Sequence, residues 1–507
     1  MGLLSFRDIG RKETGRRLSC PACLLMDRML QSGWCIHQIM EAFRAHNYCT
    51  IYYYSSIARA ESWDSITHEA CTEEQCVAYN IKDDSKYKIR HIEECSGCEF
   101  IGLAEDKIAD IVRHGGIPLV ELNPVSLENQ AQLAVKSATP YSRYTAISHV
   151  WIDGHGNSTA NALPKCQLQR LAARLSAISN AQQSRMGRLW KSLRDPSPIS
   201  SLIWMDTLCI SPRGDLEEQK FLRKKAIHRM ALIYAGAEQV LVLDAELDEL
   251  TYKGKPHELI DALISYSRWS GRCWTLEKGA LARKCLFQLK DAVIETTWHP
   301  KLDQQVIMGF LVNIIHFLRH VFHIWPLRKI TLDFAYDYLR RELATAALRS
   351  TQTDIGHALH ANRRIAPGRD LQVDKFVRTW NEIGRRSTTR PEDIHPIMAN
   401  LTDFSAAQIM GLETPMLRTK TIAHCIGRFP LDLLWIPCTR PQANENCADR
   451  WIPSTPGPEP LMECAKLTST GKGLVVDTEN NSEHPETFWI PRGMVAPRFC
   501  FRWPQDG

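Results

Sequence analysis

The sequence has no surplus of either charge, no apolar segment behind its first charged residues and no long apolar run without polar breaks, and each absence removes a class of protein. Its 62 basic and 57 acidic residues leave a net charge of +5 over 507 residues, too even a balance for a wholesale electrostatic grip on nucleic acid. The opening MGLLSFRDIGRKETGRR lacks the apolar core of a secretory signal, so a reducing, cytoplasmic setting is expected. Phe6 stands where an N-myristoylation motif asks for Ser or Thr. The one stretch that resembles a membrane span, Val306 to Trp325, is broken by Asn313, His316, Arg319, His320 and His323. It reads as a buried or interdomain helix, because polar groups are costly in lipid. No G-x-S-x-G elbow, P-loop or G-x-G-x-x-G turn is present, and the WIP triplets at Trp435, Trp451 and Trp489 keep no fixed period.

What is there is ordinary in bulk. Hydrophobic residues make up 44% and charged residues 23%, which excludes disordered, collagenous and low-complexity classes and leaves enough apolar matter for about three domains. Four zones are expected: a Cys/His-rich module over 1–125, an α/β domain over 140–295, a helical region over 300–430, and a strand-and-loop region over 431–507, the last two forming a mixed α+β C-terminal part. In the central zone, apolar runs alternate with helical ones: YTAISHV, a helix from Leu168 to about Met186, SLIWMD, a helix from Lys220 to Ala235, QVLVLD, and later KCLFQLK. Such alternation predicts a parallel sheet covered by helices, since each parallel strand needs a crossover to return the chain. The basic run Arg223, Lys224, Lys225 with Arg229 falls opposite Leu222, Ala226, Met230 and Ile233 and is expected on a solvated helix face.

Cysteine departs from the average. Eight of the 17, Cys20, Cys23, Cys35, Cys49, Cys71, Cys76, Cys95 and Cys98, lie in the first 98 residues. Between His68 and Cys98 the order is H-x2-C-x4-C-x14-H-x3-C-x2-C, and ligand pairs two to four residues apart across a longer loop are how short chains assemble a tetrahedral zinc site. The expected ligands are Cys71, Cys76, His91 and one or both of Cys95 and Cys98, holding a structural zinc, with His68 a bystander; Cys20 and Cys23 form a further C-x2-C. Glu69, Glu73, Glu74, Asp83, Asp84, Glu93 and Glu94 surround this cluster and oppose phosphate contact, so no nucleic-acid partner is expected.

Three of the predicted strands run into polar residues: YTAISHV into Trp151 and Asp153, SLIWMD into Asp206, Thr207 and Cys209, and QVLVLD into Asp244. Parallel sheets bind ligands beyond the carboxyl ends of their strands, so Ser148, Trp151, Asp153 and Asp206 are candidate binding residues on one rim. Each Asp read singly is a helix cap, and Asp215 with Glu218 reads as a capping box. Cys209 near His149 is read as part of a sequence pattern, not as a nucleophile.

That pattern carries a resemblance. Tyr144, Ala146, Ile147, Ser148, His149, Val150 and Trp151 resemble the first block of the fungal heterokaryon incompatibility (HET) domain, approximately Y-x-A-[LI]-S-[YH]-V-W. Trp204, Asp206, Thr207, Leu208, Cys209 and Ile210, then Asp215, Glu218, Met230, Ile233, Tyr234 and Ala237, are similar to its second block; Arg272, Trp274, Thr275 and Leu276 are similar to its third. The resemblance spans roughly Tyr144 to Ala282. It implies a flavodoxin-like parallel sheet with helices on both faces, of the Toll/interleukin-1 receptor (TIR) kind, acting in self/non-self recognition and programmed cell death, an innate immune role. It further implies self-association through this domain, an upstream protein partner or sensor, and NAD as a substrate cleaved between nicotinamide and ribose. The alternative is a non-catalytic oligomerisation and signalling scaffold with a degenerate active site. Cleavage would use a glutamate, for which Glu277 is the candidate, but the position four residues after Trp274 holds Lys278. A second departure is Ser211-Pro212 where the family has Asn-Gln.

Overall fold

The computed structural model describes residues 21–59, 66–81, 87–122 apart from 93, 127, 132–187, 201–295 apart from 213 and 215, 371–434, 436, 452–461, 466–469, 473–477 and 488–491. Cys20, Asp215 and the stretch from Val306 to Trp325 lie outside them. No helix among the described residues is long and apolar enough to cross a membrane.

In chain order the first strands are β1 (Phe100–Gly102), β2 (Pro118–Glu121), β3 (Ala134–Ser137), β4 (Thr145–His149) and β5 (Ala162–Pro164). Then come β6 (Leu202–Met205), β7 (Gln239–Leu243), β8 (Cys285–Gln288) and β9 (Val293–Glu295), and at the C-terminal end β10 (Arg428–Pro430), β11 (Lys466–Ser469), β12 (Gly473–Asp477) and β13 (Phe488–Pro491). The apolar runs of the central zone become β4, β6, β7 and β8. Every residue of β4, β7 and β8 is buried, the pattern of strands covered on both faces. They sit side by side and parallel in the order β6-β4-β7-β8, with Ala146 opposite Trp204 on one side and Val240 on the other.

The expected all-parallel sheet is nevertheless mixed. Seven strands run β3-β2-β6-β4-β7-β8-β9, and the β3-β2, β2-β6 and β8-β9 pairs are antiparallel. The connection between β8 and β9 explains one of these: Leu289 N donates to Ala292 O in a tight turn, too short for the crossover a parallel partner needs. β1 and β5 form a separate antiparallel pair, and β10 to β13 a four-stranded antiparallel meander. The helix expected from Leu168 runs from Lys165 to Gly187, whereas the one expected from Lys220 to Ala235 is two helices, Glu217–Ile227 and Met230–Gly236. Leu216 occupies the cap position of the first and Glu218 pairs with Arg113, while the expected capping box involves Asp215, outside the described residues.

Among the described residues two large apolar cores result. The larger joins the sheet to the N-terminal helices Pro21–Gln31, Ile36–Ala45 and Tyr48–Tyr54 through Met29, Trp34, Ile39, Ile51 and Tyr54. Trp34 stacks on Tyr54, and both meet the edge or face of Tyr266. Arg59 seals this contact with a buried two-point bond to Glu246, Nε at 2.7 Å and Nη2 at 2.6 Å. The smaller core is built on the helices Leu371–Gly384, Ile394–Leu401, Ala406–Met410 and Pro415–Ile426, around Phe376, Trp380, Ile397 and Phe429. One helix, Cys273–Ala280, serves it as well: Cys273, Leu276 and Ala280 belong to the smaller core, while Trp274 packs against both.

Candidate functional site

The chain beyond β4 leaves the sheet through a short turn, Trp151–Asp153, ended by Gly154 at φ +81°. A side chain at Gly154 would be strained by that φ and would lie 2.5 Å from Arg90 Cβ, so glycine is what lets the loop fold back against the Cys/His-rich segment. Tyr87 Oη fixes the loop from outside, donating to Trp151 O and accepting from Gly156 N, both at 2.7 Å. Beyond β6 the chain turns at once into a single helical turn that begins with Asp206.

Between these two strand ends lies a cavity of about 510 Å³, within the roughly 300–1,000 Å³ of small-molecule sites. Its walls come from four places: His149, Trp151 and Ile152 after β4; Asp206 and Thr207 after β6; Trp274, Thr275 and Lys278 of the helix Cys273–Ala280; and Tyr79 with Ile81 of the Cys/His-rich segment. Arg223, Arg272, Thr389, Arg390 and Asp393 also line it.

At its base Asp206 bridges His149 and Lys278. His149 Nε2 donates to Asp206 Oδ1 at 2.7 Å, and Lys278 Nζ donates to Asp206 Oδ2 at 3.2 Å. Burial by itself would raise the Asp206 carboxyl, but the Lys278 ammonium and His149 outweigh it and hold it well below the usual carboxylate range. His155, buried behind His149, is pushed down to about 3 by burial and by His149, so it stays neutral. The rim is cationic: Arg223, Arg272 and Arg390 accompany Lys278 against Asp206 and Asp393, and burial pushes the Asp393 carboxyl up to about 6. Arg272 is itself anchored, donating to Asn80 and, at 2.9 Å, to Thr389 Oγ1.

Of the four predicted binding residues, Trp151 and Asp206 line the cavity and the other two do not. Ser148 is buried within the core and accepts from Trp269 Nε1 at 2.7 Å. Asp153 is buried too, bonded to Arg268 Nη1 at 2.9 Å and to Ala245 N at 3.0 Å. Asp244 is the helix cap its position suggested, accepting from Glu246 N and Leu247 N. Glu277, the candidate catalytic glutamate, does not line the cavity: it is buried and accepts from Asn400 Nδ2 at 3.0 Å. Arg223 leaves the solvated face expected for its run and joins the lining. Cys209 is buried, and burial pushes its thiol up to about 12, which removes the thiolate a nucleophile needs.

Reading by sequence missed Lys278, His149, Arg272 and Tyr79 as lining residues. Three of them sit in or beside the motif blocks, so the blocks were the available signal; nothing marks Tyr79 except its place three residues after Cys76.

The expected metal ligands fall into two groups, each able to hold a metal ion: Cys35, His68, Cys71 and Cys76, and His91, Cys95, Cys98 and Cys166. Cys71, Cys76, His91, Cys95 and Cys98 are all in place, but divided between the groups. His68 is a member of the first, not a bystander. Cys35 and Cys166 are the members that the spacing did not reveal, because each stands alone in the sequence. Cys23 is in neither group.

Residues 144–258 match the family model for Heterokaryon incompatibility protein (HET). The match covers the first two motif blocks and ends before Arg272, Trp274 and Lys278. No curated protein and no solved structure matches the chain.

Proposed function

We propose, given that the chain carries a HET domain over residues 144–258, that it acts in self/non-self recognition ending in cell death, through a cavity that binds a phosphate-bearing nucleotide such as NAD without hydrolysing it. The observation that carries this reading is the ion pair of Lys278 with Asp206 at the base of the cavity. Losing nicotinamide leaves positive charge on the ribose, and an unpaired carboxylate would be needed to stabilise it. Asp206 is committed to Lys278 and His149, and Glu277 faces the C-terminal helices. An ammonium beside a developing cation raises the barrier, whereas four cationic side chains around the cavity suit an anion. Trp151 and Trp274 add aromatic surface for a base.

The TIR-like part of the reading is supported by strand order: numbered along the chain, the four parallel strands lie 2-1-3-4, the beginning of the flavodoxin-like order. Self-association of the HET domain, driven by an upstream sensor or partner, is the step by which binding would be read out. The two Cys/His groups each hold one structural zinc ion in this reading.

Calorimetric titration of the full chain with NAD, alongside an assay for released nicotinamide, tests it. Saturable binding is expected, weakened about tenfold or more by Arg390→Glu, a loss of roughly 1.4 kcal/mol, with no release above the blank. Release by the wild type that disappears in Asp206→Asn would instead establish hydrolysis. No binding at millimolar NAD removes the nucleotide reading.

A further inference from the structure

We infer that the two Cys/His groups are tetrahedral zinc sites that staple the wall of the cavity, so that zinc occupancy determines whether the cavity exists; this rests on the zinc reading above and not on the identity of the ligand.

The donor geometry fits zinc closely. Bonds of about 2.3 Å to sulfur and 2.0–2.1 Å to nitrogen put tetrahedral S···S edges near 3.8 Å and S···N edges near 3.6 Å. In the first group Cys71 Sγ and Cys76 Sγ are 3.7 Å apart, and they lie 3.5 and 3.7 Å from His68 Nδ1. In the second, Cys95, Cys98 and Cys166 Sγ lie 3.5, 3.5 and 3.6 Å from His91 Nδ1. All four donors of each group are within 4.8 Å of one another. Three cysteines and a histidine fill every place of a structural zinc and leave none for water.

Each group takes three ligands from the segment between His68 and Cys98 and a fourth from elsewhere. Cys35 caps the helix Ile36–Ala45, and Cys166 opens the helix Lys165–Gly187 of the HET domain. Apart from hydrogen bonds through Asn80, Tyr87 and Arg90, the segment's described residues add little apolar packing of their own. The apolar cluster it joins has three buried members, Cys76 and Tyr79 from the segment and Cys35 from outside it, and both cysteines are ligands. With so little apolar surface to bury, metal binding supplies much of what offsets the entropy of its ordering.

The staples reach the cavity directly. With Nδ1 on the metal, His68 Nε2 carries the proton and donates to Tyr79 Oη at 3.3 Å, and Tyr79 is a cavity wall. Such a partner on the outer nitrogen orients a ligating histidine. Ile152 of the β4 loop packs on the same cluster. On the other side, Arg90, next to His91, donates through its N–H to Gly154 O at 3.1 Å, and Gln167, next to Cys166, donates to Gly154 O at 3.0 Å. The loop that carries Trp151, Ile152 and Asn157 into the cavity is thus held from both sides.

The test is metal analysis of the full chain together with hydrogen exchange of residues 150–157. Two zinc equivalents per chain are expected, falling to one in Cys35→Ser and in Cys166→Ser and remaining two in Cys35→His and Cys166→His, which still ligate. Stripping the wild type with a chelator should speed exchange in 150–157 at least tenfold, and zinc should reverse it. This reversal decides the matter even where a serine variant fails to fold. Zinc content below two, or exchange in 150–157 indifferent to stripping, overturns the inference. Exchange that responds to zinc in a chain that binds no NAD leaves the staples standing and defeats only the nucleotide reading.

Discussion

Replacing Asp153 with alanine is expected to lower the unfolding free energy by about 3–5 kcal/mol, the usual cost of stranding one partner of a buried ion pair. The Asp153 side chain is fully buried and its partner Arg268 nearly so, the two joined at 2.9 Å. The other Asp153 oxygen accepts from Ala245 N at the start of the helix after β7. Alanine would take one buried acceptor away from both the Arg268 guanidinium and the Ala245 amide. It would also relieve Asp244, whose carboxyl is pushed up to about 7 by burial and by the charge of Asp153, but that gain is the smaller. The companion variant Asp153→Ala/Arg268→Met removes both charges and should recover much of the loss. Urea melts followed by tryptophan fluorescence measure both, and a single-variant loss under about 1 kcal/mol contradicts the assignment.

Glu277→Gln should be more stable than the wild type at alkaline pH and indistinguishable from it at acid pH. Burial pushes the Glu277 carboxyl up to about 8 from its ordinary 4.5, with Asn400 and Lys278 only partly opposing. The sign follows from proton counts. Between about 4.5 and 8 the folded chain binds the proton that the unfolded chain has released, so this group makes stability fall as pH rises through that window, and the loss is complete above it. At about 1.4 kcal/mol per pH unit the total is a few kcal/mol. Glutamine keeps the bond from Asn400 and has no charge to bury. Urea midpoints for the two chains from pH 5 to 9 should therefore diverge upward, and a difference independent of pH would contradict the buried, neutral carboxyl.

Local pattern revealed part of this molecule and long-range contact hid the rest. The four parallel strands were legible because buried parallel strands are mostly apolar, and their polar ends marked where the site lies. Ser148 and Asp153 could not be separated from Asp206 on that basis. Whether a residue at a strand end faces the crevice or the interior depends on Trp269 and Arg268, more than a hundred residues away. Lys278 and Glu277 are successive residues about 100° apart on one helix, and the sequence does not say which direction meets the cavity. The deciding neighbour, Asn400, belongs to the helix Ile394–Leu401. The antiparallel margins of the sheet escaped notice because β3 and β9 are short and partly to largely exposed, and the four-residue β2, though mostly buried, lies before the alternating run in the chain. Short spacings gave five of the eight grouped Cys and His residues, while Cys35 and Cys166 come near the rest only through folding.

The helix Cys273–Ala280 gives its apolar side to the C-terminal helices and Lys278 to the cavity, and this bears on any attempt to trim the chain. A fragment limited to residues 144–258 ends inside the helix His257–Ser265 and omits both Cys273–Ala280 and β8. Its strand β7 would present a bare row of amides and carbonyls where β8 had been, an invitation to pair with the next molecule. The excised stretch would therefore sediment as aggregate, and the smallest soluble piece must carry the C-terminal helices along with it.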